Sequence, residues 1–391
     1  MISNNKTLLT YFLYLLLGSI FYLIFHIDEF PNKYTFTDWL INYEGGFVRR
    51  GLLGQIIFDL SKFLNFQIKF IILFFQITIY SIYFFLFYSI LSKRKINFFW
   101  LLVVFSPILF LYPLAELEAL GRKDIFVITF FLIFSMINYK NLNVLLFSFI
   151  LLFSLSCLIH EITIFYIFHY FFVFYVKNKF FINEQINKKH YSIFLIFIAI
   201  LLYLNLYLHN FVIIEDIVNS YNFEDFTNES GSFSHISPSI DSVFLKTFNS
   251  IDLASVTRYG FLILINTTPF IFFIKIKDKY KNKYFNSQNI FFTIILLSVP
   301  LYLLIFDWGR VIYMSHNFFI IIMILIFKLN LVDENYLENK LKNLRKSFKI
   351  FIFIIVCLSF SPKILITDDL ASFPLYRSVA KIFKITNNFD K

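Results

Sequence analysis

The chain has few of the charged residues on which a water-soluble enzyme depends. Charged residues make up 15% of its 391 residues, hydrophobic residues make up 59%, and the mean hydropathy is +0.72. So little charge cannot cover a soluble globule, and the apolar runs recur at the length that a bilayer demands. The composition therefore predicts an all-α fold, a polytopic bundle of transmembrane helices.

Cysteine and glycine are also scarce, which excludes several familiar sites. Cys157 and Cys357 both lie inside apolar runs, where they act as small buried hydrophobic residues rather than as a disulfide or metal ligands. The nine glycines form neither a Walker A loop nor a GxGxxG fingerprint. An HExxH motif is absent because Ile164 stands where the second histidine after His160 would be. No cofactor is predicted, and participation of a divalent ion is left open.

The net charge of +10 lies mostly in short loops between apolar runs. The positive-inside rule explains this placement, so no nucleic-acid partner is predicted. Eleven spans are predicted, at residues 8–26, 67–91, 97–112, 125–138, 144–160, 162–176, 191–209, 259–275, 290–306, 311–327 and 349–366. The loops after even-numbered spans are then cytoplasmic. The abundance of Phe, Ile, Asn and Lys indicates an AT-rich coding bias, for which a bacterial source is the natural expectation. With the predicted spans, the expected location is a bacterial inner membrane, crossed several times.

The acidic residues are assigned to the other side of the membrane. All but five of the 25 Asp and Glu fall outside. The five inside are Glu184, Asp278, Asp333, Glu334 and Glu338. The insertion rule concerns Lys and Arg, so an outward-facing acidic site would explain this bias. The prediction is one membrane domain, residues 1–391, with a first outer loop at about 27–66, a large outer loop at about 210–257, and an uncleaved first apolar run.

The first outer loop contains the densest polar cluster, DWLINYEGGFVRRGLLGQ. Residues 48–64 have one broad apolar face and are predicted to form an amphipathic helix that lies in the membrane interface. Two glycines before it permit a tight turn or the close approach of a ligand. Arg49 and Arg50 would then lie near the positive end of the helix and suit phosphate. The alternative is that they contact lipid headgroups or pair with Glu44.

A second outer cluster precedes the fourth predicted span. Arg122 and Lys123 are adjacent cations on the side of the membrane where the positive-inside rule disfavours them. An anionic substrate would balance their charge, which makes them candidates for phosphate binding. Glu116 and Glu118 in the same loop are the alternative partners.

Two shorter outer motifs complete the candidate substrate site. His160 and Glu161 lie where two apolar runs meet, and a histidine beside a carboxylate serves acid–base chemistry or forms a structural pair. Asp307, Trp308 and Arg310 combine an acid, a flat ring for a sugar and a planar fork for diphosphate. The alternative is an interfacial tryptophan belt with a structural Asp–Arg pair.

These residues resemble a known class of enzymes. IDEFPNKYTFTDW followed by YEGGFVRRGLLG, after a first span, is similar to the first outer loop of the GT-C membrane glycosyltransferases. The length, span number and large outer loop are also similar to those of O-antigen and capsule repeat-unit polymerases. The first loop has no DxD, and the loops have no Arg-x10-Gly repeats of the kind described for some polymerases.

The resemblance implies an inner-membrane glycosyltransferase or polymerase that uses a polyprenyl (di)phosphate-linked sugar at the periplasmic face in surface polysaccharide assembly. The expected partners are this lipid-linked saccharide, membrane lipids and a polysaccharide chain-length regulator. By resemblance, the catalytic carboxylate is Asp28, Asp38 or Glu44. Asp38 is favoured because Trp39 beside it would stack a sugar, with Glu44 as its rival. The alternative function is a precursor flippase or exporter, which should have charged or helix-breaking residues near mid-span.

Overall fold

The computed structural model describes residues 4–27, 34–206, 212–221, 231–236, 240–281, 286–358 and 360–367, with the short pieces 371–372, 374–375 and 378–379. Regular structure in these residues is almost entirely helical. The α-helices are α1 (Asn4–Phe25), α2 (Tyr34–Leu40), α3 (Leu52–Leu64), α4 (Ile68–Leu91), α5 (Phe98–Val104), α6 (Tyr112–Ala115), α7 (Asp124–Met136), α8 (Leu142–Ile159), α9 (Ile167–Lys177), α10 (Lys188–Leu206), α11 (Ile214–Asn219), α12 (Ile240–Asn249), α13 (Leu253–Phe273), α14 (Ser287–Leu304), α15 (Trp308–Lys328), α16 (Glu334–Asn343) and α17 (Lys346–Phe353).

Short irregular elements join these helices. The 3-10 segments are Glu161–Tyr166, Gly231–His235 and Asp278–Tyr280, and the π-helical turns are Asn178–Ile182 and Ile354–Leu358. Two strands, β1 (Phe360–Ser361) and β2 (Ala371–Ser372), pair antiparallel, with Phe360 opposite Ser372.

The all-α class is confirmed, and the helices have the features of a membrane protein. Among the described residues, five helices are long and apolar enough to cross a bilayer: α1, α4, α8, α13 and α15. They coincide with the predicted spans at 8–26, 67–91, 144–160, 259–275 and 311–327. Helix α7 is apolar but has only 13 residues. The total of eleven spans therefore remains a prediction.

The predicted span at 97–112 is not one helix. Helix α5 ends at Val104, and α6 begins only at Tyr112. Pro107 explains the break, because a proline disfavours the helical conformation of the residue before it. Residues 106–111 are buried in protein, which is the condition under which non-helical backbone is tolerated at membrane depth.

The chain divides into two compact units. Unit 1 contains Met1–Tyr22, Tyr80–Leu120 and Ile240–Lys391, and unit 2 contains Leu23–Ile79 and Gly121–Ser239. In unit 1, nearly all of α15 is buried, and the Tyr83 hydroxyl donates to the side-chain oxygen of Asn317 at 2.7 Å. In unit 2, the ring of Tyr170 packs edge-on against Phe131 and Phe153 of α7 and α8, at centroid distances of 4.8 and 4.9 Å. Each unit therefore has its own aromatic and aliphatic core.

The basic loops of unit 1 lie together at one end of its helices. The Asp333 amide donates to the Lys275 carbonyl at 2.8 Å, and Lys95 Nζ lies 3.6 Å from Glu338. We call this region the basic end of unit 1. Its cations are Lys93, Arg94, Lys95, Lys275, Lys277, Lys279, Lys281, Lys328, Lys340, Lys342, Arg345, Lys346 and Lys349. Its described carboxylates are Asp278, Asp333, Glu334 and Glu338.

Unit 2 shows the same separation of loops. The Leu142 amide donates to Glu184, and His190 lies 3.2 Å from Asn143, so the loops at 137–143 and 177–190 are neighbours. At the other end of its helices, the Ser232 amide donates to Thr37 Oγ1 at 2.8 Å, which joins the large outer loop to α2. Loops assigned to one side of the membrane therefore lie at one end of each unit.

Labelling of single cysteines tests which end faces outwards. We expect a membrane-impermeant maleimide to label Glu44→Cys, Asp216→Cys and Asp252→Cys in intact cells, because all three residues are exposed on loops with few cations. Lys95→Cys and Lys189→Cys, exposed on basic loops, should react only after permeabilisation. The native cysteines are buried, so the unmodified chain is the blank. The opposite pattern would reverse the assigned orientation.

Candidate functional site

A cluster of ionisable side chains is buried at the end of unit 2 that contains the first outer loop. The side chains come from α2, from the turn before α3, from the start of α7 and from the junction after α8. We call it the buried-charge cluster, and its members are Asp38, Arg50, Lys123, Asp124, His160 and Glu161. Removing a charge from water costs free energy that a partner of opposite charge can offset, so buried charges are usually paired or belong to a functional site.

Arg50 connects two parts of this cluster. Its Nη1 lies 3.3 Å from Asp38 Oδ1, and its Nη2 lies 3.5 Å from Glu161 Oε1. The Arg50 side chain is 14% exposed, Asp38 is 6% exposed and Glu161 is 28% exposed. The planar guanidinium offers a separate nitrogen to each of the two carboxylates. Arg50 thus fixes α2 against the 160–161 junction.

Lys123 is completely buried, and its ammonium donates a hydrogen bond to the Arg50 carbonyl at 2.8 Å. Burial lowers the pKa of Lys123 to about 8, although the nearby charge of Asp38 opposes this shift. The side chain therefore holds the backbone of Arg50 in place. Phosphate binding was the prediction for Lys123, and in this structure its ammonium is enclosed by protein.

The two carboxylates that flank Arg50 are kept ionised by their neighbours. Burial alone would raise the pKa of Asp38, but the positive charges of Lys123 and then Arg50 outweigh burial and lower it. Burial is likewise the largest influence on the pKa of Glu161, and Arg50 with His160 reverses it, so that the pKa falls well below its ordinary value. Both groups therefore stay ionised at neutral pH and can accept hydrogen bonds.

His160 lies between two carboxylates, Asp124 and the Glu161 that also contacts Arg50. Helix α8 ends at Ile159, and His160 is extended before the 3-10 segment begins, so the two apolar runs meet at a break in the helix. Its Nε2 lies 3.3 Å from Asp124 Oδ1, and its Nδ1 lies 3.4 Å from Glu161 Oε2. The Ile162 amide also points at Nδ1, at 3.4 Å. Nδ1 can therefore accept from the backbone or, when it carries a proton, donate to Glu161.

Helix α3 brings Arg50 to this place. A Cβ on Gly54 would lie 1.9 Å from the Ile41 carbonyl oxygen, so only glycine lets α3 pack directly on the chain that leaves α2. The predicted helix at 48–64 begins at Leu52, and Arg50 precedes it. The C-terminal half of α3 carries exposed apolar side chains, among them Phe63 and Leu64. Helix α3 occupies most of the predicted range, and an amphipathic helix that lies in the membrane interface remains a prediction.

The loop between α2 and α3 contains the tight turn that its two glycines permit, and the group that approaches it closely belongs to the large outer loop. Gly46 has a φ of 104°, which makes the tight turn. A Cβ on Gly45 would lie 2.0 Å from the Ile213 carbonyl, so the close approach is made by the large outer loop and not by a ligand. Glu44 is exposed here and accepts from the side-chain amide of Gln55 at 3.3 Å.

Trp39 belongs to the core beneath the cluster. Its side chain is fully buried, its indole N–H donates to the Gly121 carbonyl at 2.7 Å, and its ring packs edge-on against Phe126. Gln76 of α4 donates to the same carbonyl at 2.9 Å and to the Thr35 carbonyl at 3.2 Å. We therefore assign Trp39 to packing, because no ring face is open for a sugar in this structure.

Two residues of the site were not among the predicted site residues. Gln76 fixes the loop below the cluster, and Asp124 contacts His160. Each had a signal in the sequence. Gln76 is a side-chain amide in the middle of an otherwise strongly apolar helix, and Asp124 completes the GRKD motif beside two predicted residues.

The other arginines near the cluster differ in their surroundings. Arg49 is half-buried, and its Nε makes no hydrogen bond with any described residue. Burial lowers the pKa of Arg49, and the charge of Glu161 opposes that shift. Arg122 is 8% exposed and lies over the ring of Tyr34 at 5.5 Å. Asp28 lies outside the described residues.

The DWGR motif belongs to unit 1. Arg310 Nη1 lies 3.0 Å from Asp307 Oδ2, which is the geometry of a structural Asp–Arg pair. Trp308 is buried, and its indole N–H donates to the Tyr302 carbonyl at 2.8 Å. Its ring packs edge-on against Tyr259 at 5.5 Å. Within unit 1 these contacts serve packing at the start of α15.

A double-mutant cycle measures the Asp38–Arg50 contact. We expect Asp38→Asn and Arg50→Met to couple by about 1 to 3 kcal/mol in the free energy of unfolding in detergent, because each leaves a buried charge without its partner. Lys95→Ala with Glu338→Ala is the matched control, and this exposed pair should couple by less than about 1 kcal/mol. Equal coupling in both cycles would mean that the Asp38–Arg50 contact is no stronger than a surface pair.

No protein-family model matches the chain, and neither a curated protein nor a solved structure matches it. No group of three His, Cys, Asp or Glu side chains that could hold a metal ion occurs in the part of the chain that the structure describes. The roles of the residues therefore follow from their contacts: carboxylates beside fixed arginines on a loop of a membrane protein.

Proposed function

We propose that the chain is a bacterial inner-membrane glycosyltransferase or polymerase that transfers sugar from a polyprenyl (di)phosphate at the periplasmic face. The observation that carries this proposal is Asp38, a buried and ionised carboxylate in contact with Arg50, which follows a second arginine, Arg49, in the sequence. Transfer from such a donor needs a proton acceptor for the attacking hydroxyl and cations for the phosphate that leaves. The buried-charge cluster offers both, a carboxylate in Asp38 and a cation in Arg50.

The acceptor hydroxyl would attack the anomeric carbon of the sugar. The new carbon–oxygen bond forms as the bond from that carbon to the phosphate oxygen breaks. The hydroxyl proton goes to Asp38, and the electron pair of the broken bond leaves with the polyprenyl (di)phosphate. Because this leaving group is already good, the carboxylate is the main group that the protein must supply.

The arginines would bind the leaving phosphate. Arg49 Nε is a buried donor without a hydrogen bond to any described residue, and a phosphate oxygen would satisfy it. Arg50 is bound to Asp38 and Glu161 in this structure, and a phosphate would compete with both carboxylates for its guanidinium. Withdrawal of Arg50 would make Asp38 a stronger base when the substrate is present.

The structure favours Asp38 over Glu44 as this base. Glu44 is exposed and contacts Gln55, whereas Asp38 contacts Arg50 and lies in the field of Lys123. A low-dielectric position strengthens each electrostatic interaction that the reaction needs. The proposed partners are the polyprenyl-linked saccharide, membrane lipids and a chain-length regulator of surface polysaccharide assembly.

A flippase or exporter is the second candidate, and helix-breaking residues support it. Pro269 lies inside α13, Pro300 lies inside α14, and the segment between α5 and α6 is not helical. Interrupted helices are typical of transporters. A transporter moves its substrate without forming a glycosidic bond, so chemical transfer in detergent separates the two functions.

Conservative substitutions test the proposed catalytic roles. With radiolabelled lipid-linked saccharide and purified protein in detergent, Asp38→Asn should lower the rate of transfer by about 10² to 10⁴ while donor binding persists, since general-base loss has this size. Arg49→Ala and Arg50→Ala should weaken donor binding. Glu44→Gln is the matched control and should keep the wild-type rate. A wild-type rate in Asp38→Asn would remove the base assignment, and absence of product from the wild-type protein would favour the flippase.

Lys123 predicts how the rate depends on pH. Transfer should decline as pH rises through about 8, where the ammonium that holds Arg50 loses its proton. The ordinary pKa of lysine is 10.5, so between about pH 8 and pH 10.5 the unfolded chain binds more protons at Lys123 than the folded chain does. Over this range the contribution of Lys123 to the free energy of unfolding therefore rises with pH. The decline would therefore not be caused by unfolding through Lys123. Lys123→Arg should shift it to higher pH, and an unchanged profile would contradict this role.

A further inference from the structure

An open notch lies at the elbow between α16 and α17, at the basic end of unit 1. Its volume is about 510 Å³, and it is lined by Asn343, Leu344, Arg345, Ser347, Phe348 and Phe351. Helix α16 ends at Asn343, two connecting residues follow, and α17 begins at Lys346 and is uninterruptedly apolar only after Lys349. The notch therefore lies where a polar helix meets an apolar segment.

The two sides of the notch have opposite character. Arg345 lines the notch and is exposed, and the next residue, Lys346, is exposed beside the lining residues without being one of them. One turn along α17, Phe348 is 49% exposed and Phe351 is 57% exposed, and their rings stack at a centroid distance of 6.4 Å. A cationic rim next to exposed aromatic rings suits a ligand with an anionic head and a hydrocarbon tail.

The positive charge around the notch favours a ligand whose headgroup is an anion. Cations far outnumber carboxylates at the basic end, and the Lys95–Glu338 pair engages only one of each. Juxtamembrane clusters of lysine and arginine attract anionic lipids, and each cation adds about a fivefold gain in binding. Charge complementarity and the adjacent aromatic rings both point to a lipid rather than to a soluble anion.

We propose that this notch is a binding site for an anionic phospholipid. The headgroup phosphate lies against Arg345 and Lys346, and an acyl chain packs along Phe348 and Phe351. The site is in unit 1 and is independent of the transfer reaction proposed for the buried-charge cluster of unit 2. It would fix the elbow at the membrane surface and so determine where the last apolar segment enters the bilayer.

Native mass spectrometry of the full chain tests this proposal with phosphatidylglycerol and phosphatidylcholine as probes. The wild-type protein should bind one phosphatidylglycerol at least tenfold more tightly than phosphatidylcholine. Arg345→Glu with Lys346→Glu should abolish this preference, because two attractive charges become repulsive. Lys188→Glu with Lys189→Glu, an exposed basic pair of unit 2, is the matched control and should keep it. The milder Arg345→Gln with Lys346→Gln should reduce the preference at least fivefold if the glutamates prevent folding.

A second pair of substitutions tests the aromatic side of the notch. Phe348→Ala with Phe351→Ala should weaken phosphatidylglycerol binding at least fivefold, because the acyl chain loses its contacts. Inorganic phosphate should not displace the bound lipid at equal concentration. The proposal is overturned if the Arg345 and Lys346 variants bind phosphatidylglycerol as the wild type does, if phosphatidylcholine binds equally well, or if phosphate alone displaces the lipid.

Discussion

The contact of Arg50 with Asp38 and Glu161 is the constraint on which the proposed site depends. One guanidinium connects α2 to the junction after α8, and Lys123 holds the carbonyl of the same residue. The side chain of Arg50 and its backbone are thus fixed from different elements of unit 2. Asp38 and the backbone of Arg50 are thus in place before a charged substrate arrives, and only the guanidinium of Arg50 would change its partner.

Stability alone does not explain this arrangement. The desolvation of buried ions can exceed their mutual attraction, and well-packed apolar residues in the same volume are often as stable or more stable. Lys123 shows that cost directly, because burial lowers its pKa to about 8. A chain with 59% hydrophobic residues has many ways to fill such a space without charge. The presence of six ionisable groups in one place therefore supports a chemical role.

Part of this arrangement could be predicted from the sequence. The carboxylate of α2, the arginine pair before α3 and the histidine–glutamate junction each interrupt an apolar pattern, and local patterns are visible without a structure. The helix after Arg50 was predicted for the same reason. Its first turn was placed too early, because Val48 continues the apolar face while the chain there still forms the turns that bring Arg50 to Asp38.

The roles of the tryptophans could not be predicted, because exposure is a property of the packed chain. Trp39 beside Asp38 suggests a sugar platform in sequence, but its neighbours in space are Phe126 and the carbonyl of Gly121. That carbonyl accepts from Gln76 as well, across 45 positions of sequence. Such contacts follow from how helices pack, and the hydrophobic pattern of α4 does not specify them. A polar side chain alone in an apolar helix does indicate that a partner must exist, since an unpaired amide there would be costly. Gln76 meets this need at the Gly121 carbonyl, which it shares with the indole of Trp39, two residues before Lys123.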